Sequence, residues 1–367
     1  MFPTMSSASK VNGILFIAMI AVMFVYSVPK LWGFAETQTE AAKLYADGQL
    51  SRKFEEQYDS GFFARESAIK AWSNLSFWLF REGLTGVVVG EDGWLYTNEE
   101  FTFPNDLDAR LERQMARVEK TAARIGAQGK KLIIVPIPMK ADIYGDHVSH
   151  ELGERPALLY TRFTEQLSKR NIPFSPLREV YLASKDRTQL FFKKDTHWTP
   201  EGAKLAAQQL ALSFPDLLGD ELYRTEVIHE TQHAGDLVNF IKVSPWLDPE
   251  IYAPEPLARY QTIRVEQKTD ASALFGNNNP SVVLVGSSYT KMEEWNFEGF
   301  LKEHLKSDLL SVAVEQKGQF VAMDEFLASD LLADDSIETV IWEFPVRSLI
   351  TQASESSGWS STMEELF

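Results

Sequence analysis

The chain has 367 residues, of which 36 are Lys or Arg and 52 are Asp or Glu, for a formal net charge of -16; 44% are hydrophobic. So acidic a chain repels phosphate, which excludes general nucleic-acid binding and means that a polyanionic substrate would need a local basic patch. It has no cysteine, which rules out a thiol nucleophile, a structural disulfide and a cysteine-ligated metal.

The first element is VNGILFIAMIAVMFVYSV, residues 11–28, uncharged and almost wholly apolar. It is at the lower limit for a membrane-spanning helix and longer than a usual signal-peptide core. We read residues 1–35 as an uncleaved signal anchor. The alternatives are a signal peptide cleaved near Gly33 and Ala35, or a buried core helix. Lys10 and Lys30 nearly balance, so charge leaves the orientation open. Residues 36–83 read as a helical linker whose aromatics, among them Tyr58, Phe62, Phe63, Trp72, Phe77 and Trp78, are expected to pack in a core.

LTGVVVGEDGWLY, residues 84–96, reads as a β-hairpin. Residues 106–128 and 156–170 carry helical periodicity, and Thr199 followed by Pro200 and Glu201 predicts a capped helix over 199–213. The continuous apolar runs KLIIVPIP (131–138), PSVVLVG (280–286), LLSVAV (309–314) and IETVIWEF (337–344) predict buried strands, with NIPFSPL (171–177) a further candidate. Helices alternate with most of them, which predicts an α/β domain with a mostly parallel central sheet. The serine-rich, acidic stretch 351–367 reads as a flexible tail.

Four constellations could carry chemistry. In KKDTHWTPEG, Asp195 and His197 stand two apart just ahead of a helix, where an extended segment lets an acid orient a base. The rival reading is that Asp195 caps the helix and His197 packs with Trp198. In GSSY, Ser287 and Ser288 follow a strand at the sheet's carboxyl edge, where α/β sites form; the rival is that both serines only cap the next helix. HETQH, 229–233, matches the zinc pattern H-E-x-x-H with Glu230 as base, and Glu250, Glu255 and His304 are possible third ligands. Gly235 follows too soon for a long helix, so a surface turn or short helix is expected and no metal. In VIWEFPVRSL, Glu343 and Arg347 stand at a strand end, near the site or as an ordinary ion pair.

The segments GEDGWLY (90–96), VPIPMKADIY (135–144), DTHWTPEGA (195–203), GSSYT (286–290) and WEFPVR (342–347) resemble, in that order, the periplasmic polysaccharide O-acetyltransferases of the alginate acetylation type. The resemblance covers about residues 84–350. It implies an SGNH-hydrolase-like three-layer catalytic domain behind a transmembrane helix, and a triad of Ser288, His197 and Asp195. It also implies an acetyl-serine intermediate, no cofactor, a polysaccharide acceptor such as alginate, and a membrane-bound O-acyltransferase as acetyl supplier. The location implied is the inner membrane, with the catalytic domain in the periplasm. The acid and base stand two apart and precede the serine, whereas ordinary SGNH hydrolases carry them three apart and after it. The asparagine of the SGNH oxyanion hole has no convincing counterpart, since Asn277–Asn279 lie too close to the serine strand. A carbohydrate acetylesterase or a non-catalytic export scaffold are the alternative functions. Lys193 and Lys194, with Arg347, are the candidate cations for a uronate chain.

Overall fold

The structure is a computed structural model that describes residues 7–38, 41–63, 65–81, 83, 86–148, 150–265, 280–315 and 320–351. The Asn277–Asn279 run and the tail beyond 351 lie outside these residues. The chain forms two compact units, Met1–Trp72 and Ser73–Phe367.

In the first unit, α1 (Ser7–Thr37) is followed by α2 (Ala41–Ala46), α3 (Gln49–Ser60) and the start of α4 (Arg65–Phe80). The Lys10–Thr37 part of α1 is long and apolar enough to cross a membrane and is unburied across its apolar window. At 1.5 Å per residue, the 31 residues of α1 reach about 46 Å, beyond the ~30 Å of a bilayer's hydrocarbon core. Near its C-terminal end, α1 packs Phe34 edge-on against Phe54 of α3, while Tyr26 meets Tyr58.

The second unit begins inside α4, whose Phe77 is buried in a small cluster with Val87, Leu95, Leu237, Ile241, Val243 and Ile251. Next come the antiparallel hairpin β1 (Val87–Val89) and β2 (Leu95–Thr97), then α5 (Leu107–Gly126), β3 (Lys131–Ile137), α6 (Lys140–Ile143), α7 (His150–Lys169), α8 (Leu177–Ser184) and α9 (Pro200–Ser213). They are followed by β4 (Tyr223–His233), α10 (Pro249–Tyr252), β5 (Glu255–Arg264), β6 (Val282–Gly286), α11 (Ser288–Lys291), α12 (Phe297–Leu305), β7 (Leu309–Ala313), α13 (Val321–Ala328) and β8 (Thr339–Pro345).

Strands β3, β8, β6 and β7 form one parallel sheet in that order. Period-two alternation sends successive side chains to opposite faces, and both faces are covered. Ile133, Val135, Leu284 and Ile341 join a core with α8, α9 and α12, while Ile134, Val283, Val285 and Trp342 join one with α5, α7 and α13. The result is the three-layer α/β fold expected.

Three local expectations fail. Of the aromatics in 36–83 expected to pack in a core, Phe77 is buried, but Phe63, Trp72 and Trp78 are exposed. NIPFSPL contributes only an isolated bridge, Phe174 to Ile134, because Pro173 and Pro176 lack the N–H groups a ladder needs. HETQH is neither turn nor helix: it ends β4, which pairs antiparallel with β5. Its alternating exposure from Tyr223 to Glu226 and beyond Glu230 fits a strand lying on the surface.

Candidate active site

The carboxyl ends of β6 and β8 define the site. Strand β6 ends at Gly286, where a Cβ would lie 2.2 Å from Thr290 Oγ1 and 2.9 Å from Glu343 Oε2, so only glycine lets the chain turn there. Ser287 is the N-cap of α11, its Oγ accepting from Tyr289 N at 3.3 Å and donating to Glu343 Oε1 at 2.8 Å. Glu343, wholly buried on β8, also accepts from Ser287 N (2.9 Å) and Thr290 Oγ1 (2.7 Å). Burial raises its carboxyl above the usual range, and these hydrogen bonds pull the other way. Glu343 and Arg347 are therefore not an ion pair with each other. Arg347 donates to Tyr289 Oη at 2.8 Å and faces Glu99 at 3.4 Å. Tyr289 Oη in turn donates to the Thr196 carbonyl.

With Ser287 committed to the turn, Ser288 is left half-buried with its Oγ 2.9 Å from His197 Nε2. His197 Nδ1 lies 2.7 Å from Asp195 Oδ1, which also accepts the His197 backbone N–H at 2.9 Å. Residues 193–197, which carry Asp195 and His197, form a run of bends and not the extended stretch expected, and α9 is capped by Thr199, not by Asp195: Thr199 Oγ1 accepts from Gly202 N at 3.1 Å. Three carbonyls of this loop, those of Phe192, Lys193 and Asp195, accept from one buried ammonium, Lys140 Nζ, at 3.1, 3.2 and 2.7 Å. Burial brings Lys140 down to about 8. The backbone N–H groups of Lys193 and Lys194 are held by the Glu255 carboxylate at 2.9 and 3.0 Å.

A second histidine, unforeseen as a member of the site, completes the cluster. His233 Nε2 lies 2.7 Å from Asp195 Oδ2, which also accepts from Asp236 N at 2.9 Å. Burial alone would raise the Asp195 carboxyl, yet the hydrogen bonds and charges of His197 and His233 hold it well below the carboxylate range. Asp236 is raised by burial and by the Asp195 charge. The signal in the sequence was the H-E-x-x-H match itself, which singled out His233 for the wrong chemistry: His229 and Glu230 are exposed on the strand. Asp195, His197 and Asp236 offer ligand atoms within 4.8 Å of one another. The Asp195 and His197 atoms are engaged in the hydrogen bonds above, and both Asp236 oxygens accept from Thr196.

The candidate cations separate. Lys193 is half-exposed, its Nζ donating to the Asp92 carbonyl at 3.0 Å. Lys194 is buried and donates inward to the Ala253 carbonyl, and Arg347 is 12% exposed.

The comparisons agree with this architecture. The profile of the family described as "SGNH hydrolase-like domain, acetyltransferase AlgX" matches residues 87–346. The protein named "Probable alginate O-acetylase AlgJ" of Pseudomonas fluorescens is 34% identical over 348 residues, covering 91% of this chain and 86% of the relative; its namesake in Pseudomonas aeruginosa is 34% identical over 318 residues, covering 83% and 80%. Among solved structures, the O-acetyltransferase domain of Pseudomonas putida AlgJ superposes with a TM-score of 0.66 at 30% identity, over 77% of this chain and 98% of that domain. Pseudomonas aeruginosa AlgX shares the fold, with a TM-score of 0.58 at 20% identity over 75% and 69%. With its parallel sheet, its serine at the end of β6 and this match over most of its length, the chain belongs to the SGNH hydrolase-like acetyltransferase family typified by AlgX and AlgJ.

Proposed function

We propose that the chain is an O-acetyltransferase that carries acetyl on Ser288 and transfers it to hydroxyls of an exopolysaccharide, alginate being the acceptor named in its relatives. The observation that carries the reading is the unbroken hydrogen-bonded line from Ser288 Oγ through His197 to Asp195, with contacts of 2.9 and 2.7 Å. A serine hydroxyl is a weak nucleophile until a base removes its proton, and a base must lie roughly 2.6–3.2 Å away to do so. Asp195 holds Nδ1–H, which leaves the Nε2 lone pair facing the serine.

In the first half-reaction His197 Nε2 takes the Ser288 proton as Oγ bonds to the acetyl carbonyl carbon of the donor. The tetrahedral adduct breaks its bond to the leaving group, which receives that proton. In the second, a sugar hydroxyl attacks acetyl-Ser288 and gives its proton to His197. Collapse returns the proton to Ser288 Oγ and releases the ester. The Ser288 N–H begins α11 and has no partner within the helix, so it is a candidate oxyanion donor. No step calls for a cofactor.

The apolar α1 supports anchoring in a membrane. An inner-membrane location with the catalytic unit in the periplasm, and a membrane-bound O-acyltransferase as the source of acetyl, belong to the reading through the family resemblance. Intact mass after brief incubation with an activated acetyl ester tests the reading: the wild type gains one acetyl group, mapped to Ser288, and Ser288→Ala gains none. An adduct on Ser287, or full turnover in Ser288→Ala, would sink it. Release of acetyl to water alone, with polymer present, would make the enzyme an esterase.

A further inference from the structure

Asp195 accepts four N–H groups, two per oxygen. The His197 backbone N–H and Nδ1 meet Oδ1; Asp236 N and His233 Nε2 meet Oδ2. A triad acid needs only the His197 side of this arrangement. The Oδ2 side is nonetheless built with care. It is delivered by the end of β4, from outside the main sheet, and Gly235 adopts φ +83° so that the chain can cross the Lys194 carbonyl, which a Cβ would meet at 2.2 Å. The His233 ring lies 4.8 Å from Phe192 and meets Trp295 edge-on at 5.4 Å. That same indole stacks on His197 at 5.7 Å. The two imidazoles thus share one carboxylate and one aromatic wall, and the β4–β5 pairing does not depend on the His233 side chain.

We propose that His233 is a positioning residue for the Ser288–His197–Asp195 unit: its Nε2–H fixes the plane of the Asp195 carboxylate and draws charge from it, which tempers the basicity of His197. This rests on the reading of Ser288 as nucleophile. A carboxylate bonded on one oxygen only can rotate, and a less compensated one holds the His197 proton more tightly, so the base is neutral only at higher pH. The titratable groups facing His233 are Asp195, Asp236 on the segment after β4, Glu255 at the start of β5, and His197 across the shared carboxylate. Burial pulls the His233 imidazolium down, but these acids outweigh it and the net shift is upward. His233 therefore gains charge toward acid pH.

The test separates nucleophile activation from acetyl chemistry. Full-length protein in detergent is treated with a fluorophosphonate from about pH 5 to about pH 9, and the rate of Ser288 modification is followed by intact mass. Three forms are compared: wild type, His233→Gln, which keeps a neutral donor, and His233→Leu, which keeps none. In His233→Leu the plateau rate falls about tenfold, a fraction of the ~10²–10⁴ that acid–base catalysis supplies, and the acid limb moves up by about one pH unit. His233→Gln restores most of the plateau and places the limb between the other two. Equal loss in both variants with an unmoved limb, tracking a loss of thermal midpoint, would mean that His233 only braces the loop and would overturn the proposal. So would a wild type whose Ser288 is never modified. If Ser288 is phosphonylated with this pattern but never acetylated, the His233 role stands and the acetyltransferase reading is what fails.

Discussion

At the residue scale, the two adjacent serines have been given different work. Ser287 holds Glu343 and caps α11, whereas Ser288 faces His197. Ser288→Ala is accordingly expected to abolish acyl transfer at unchanged stability. Ser287→Ala leaves the buried Glu343 with one donor fewer and should cost about 1–3 kcal/mol of stability, with a smaller effect on kcat; thermal melts alongside single-turnover rates distinguish the two. Asp195 gives a pH prediction. Its carboxyl is held well below the ordinary value, so the stability it contributes is complete above the unfolded-state pKa of about 3.9 and is lost as pH falls through its lower folded value. Asp195→Asn should lose stability at neutral pH and lose less than the wild type on further acidification; a constant difference down to acid pH would contradict this. The pairing of Asp195 with His197 was legible because two residues two apart can share a side in an extended or turn segment but not on a helix, and Thr199 marks them as lying ahead of α9. His233 was not, since its contact with Asp195 spans 38 residues and depends on a hairpin that places it there.

At the element scale, the four parallel strands were readable because burial on both faces leaves continuous apolar runs, as in VVLVG of β6 and TVIWEFP of β8. The β4–β5 hairpin was not readable, because YRTEVIHETQH is polar nearly throughout and a bulge between Val227 and His229 breaks its alternation. The loop bearing Asp195 is closed at its base by the Phe191–Trp198 bridge, and within it the backbone is held by Lys140 and Glu255. Lys140→Met should leave the Phe192 and Asp195 carbonyls without their donor, the Lys193 carbonyl keeping Leu95 N, and destabilise the catalytic unit by about 1–3 kcal/mol or more. Lys140 also has a signature in pH. Its folded value, about 8, lies below the ordinary 10.5, so the unfolded chain binds more protons between the two. Wild-type stability should therefore rise relative to Lys140→Met as pH increases through that window. Chemical denaturation of both forms across it is the check, and a gap that stays constant would mean that Lys140 titrates in the folded protein where it does in the unfolded chain.

At the scale of the whole molecule, an apolar α1 and a strongly acidic chain set opposite requirements. The helix should keep the protein in the membrane fraction through high-salt and alkaline washes; a mature N-terminus near residue 36 in a soluble fraction would mean that 1–35 is cleaved. The charge of -16 acts on the acceptor, because a uronate polymer is repelled at long range and must be drawn in locally. Two lysines adjoin Asp195, and their surroundings divide the task. Lys194 is buried and lowered by that burial, its Nζ held by the Ala253 carbonyl, so it can contribute little to attraction. Lys193 is half-exposed, with its ammonium 5.8 Å from the buried Trp94 ring, and can meet a carboxylate. Lys193→Gln is expected to raise KM for a polyuronate by roughly two- to fivefold, the size of an exposed ion pair worth about 0.5–1 kcal/mol. That increase should vanish as ionic strength approaches ~1 M, where the screening length is about 3 Å. Lys194→Gln should instead lower stability and change KM without salt dependence. If Lys193→Gln leaves KM unchanged at low salt, the acceptor either enters by another face or carries no charge. Repeating the assay with a neutral polymer separates those cases, because a neutral chain should bind the same in wild type and variant at every salt concentration.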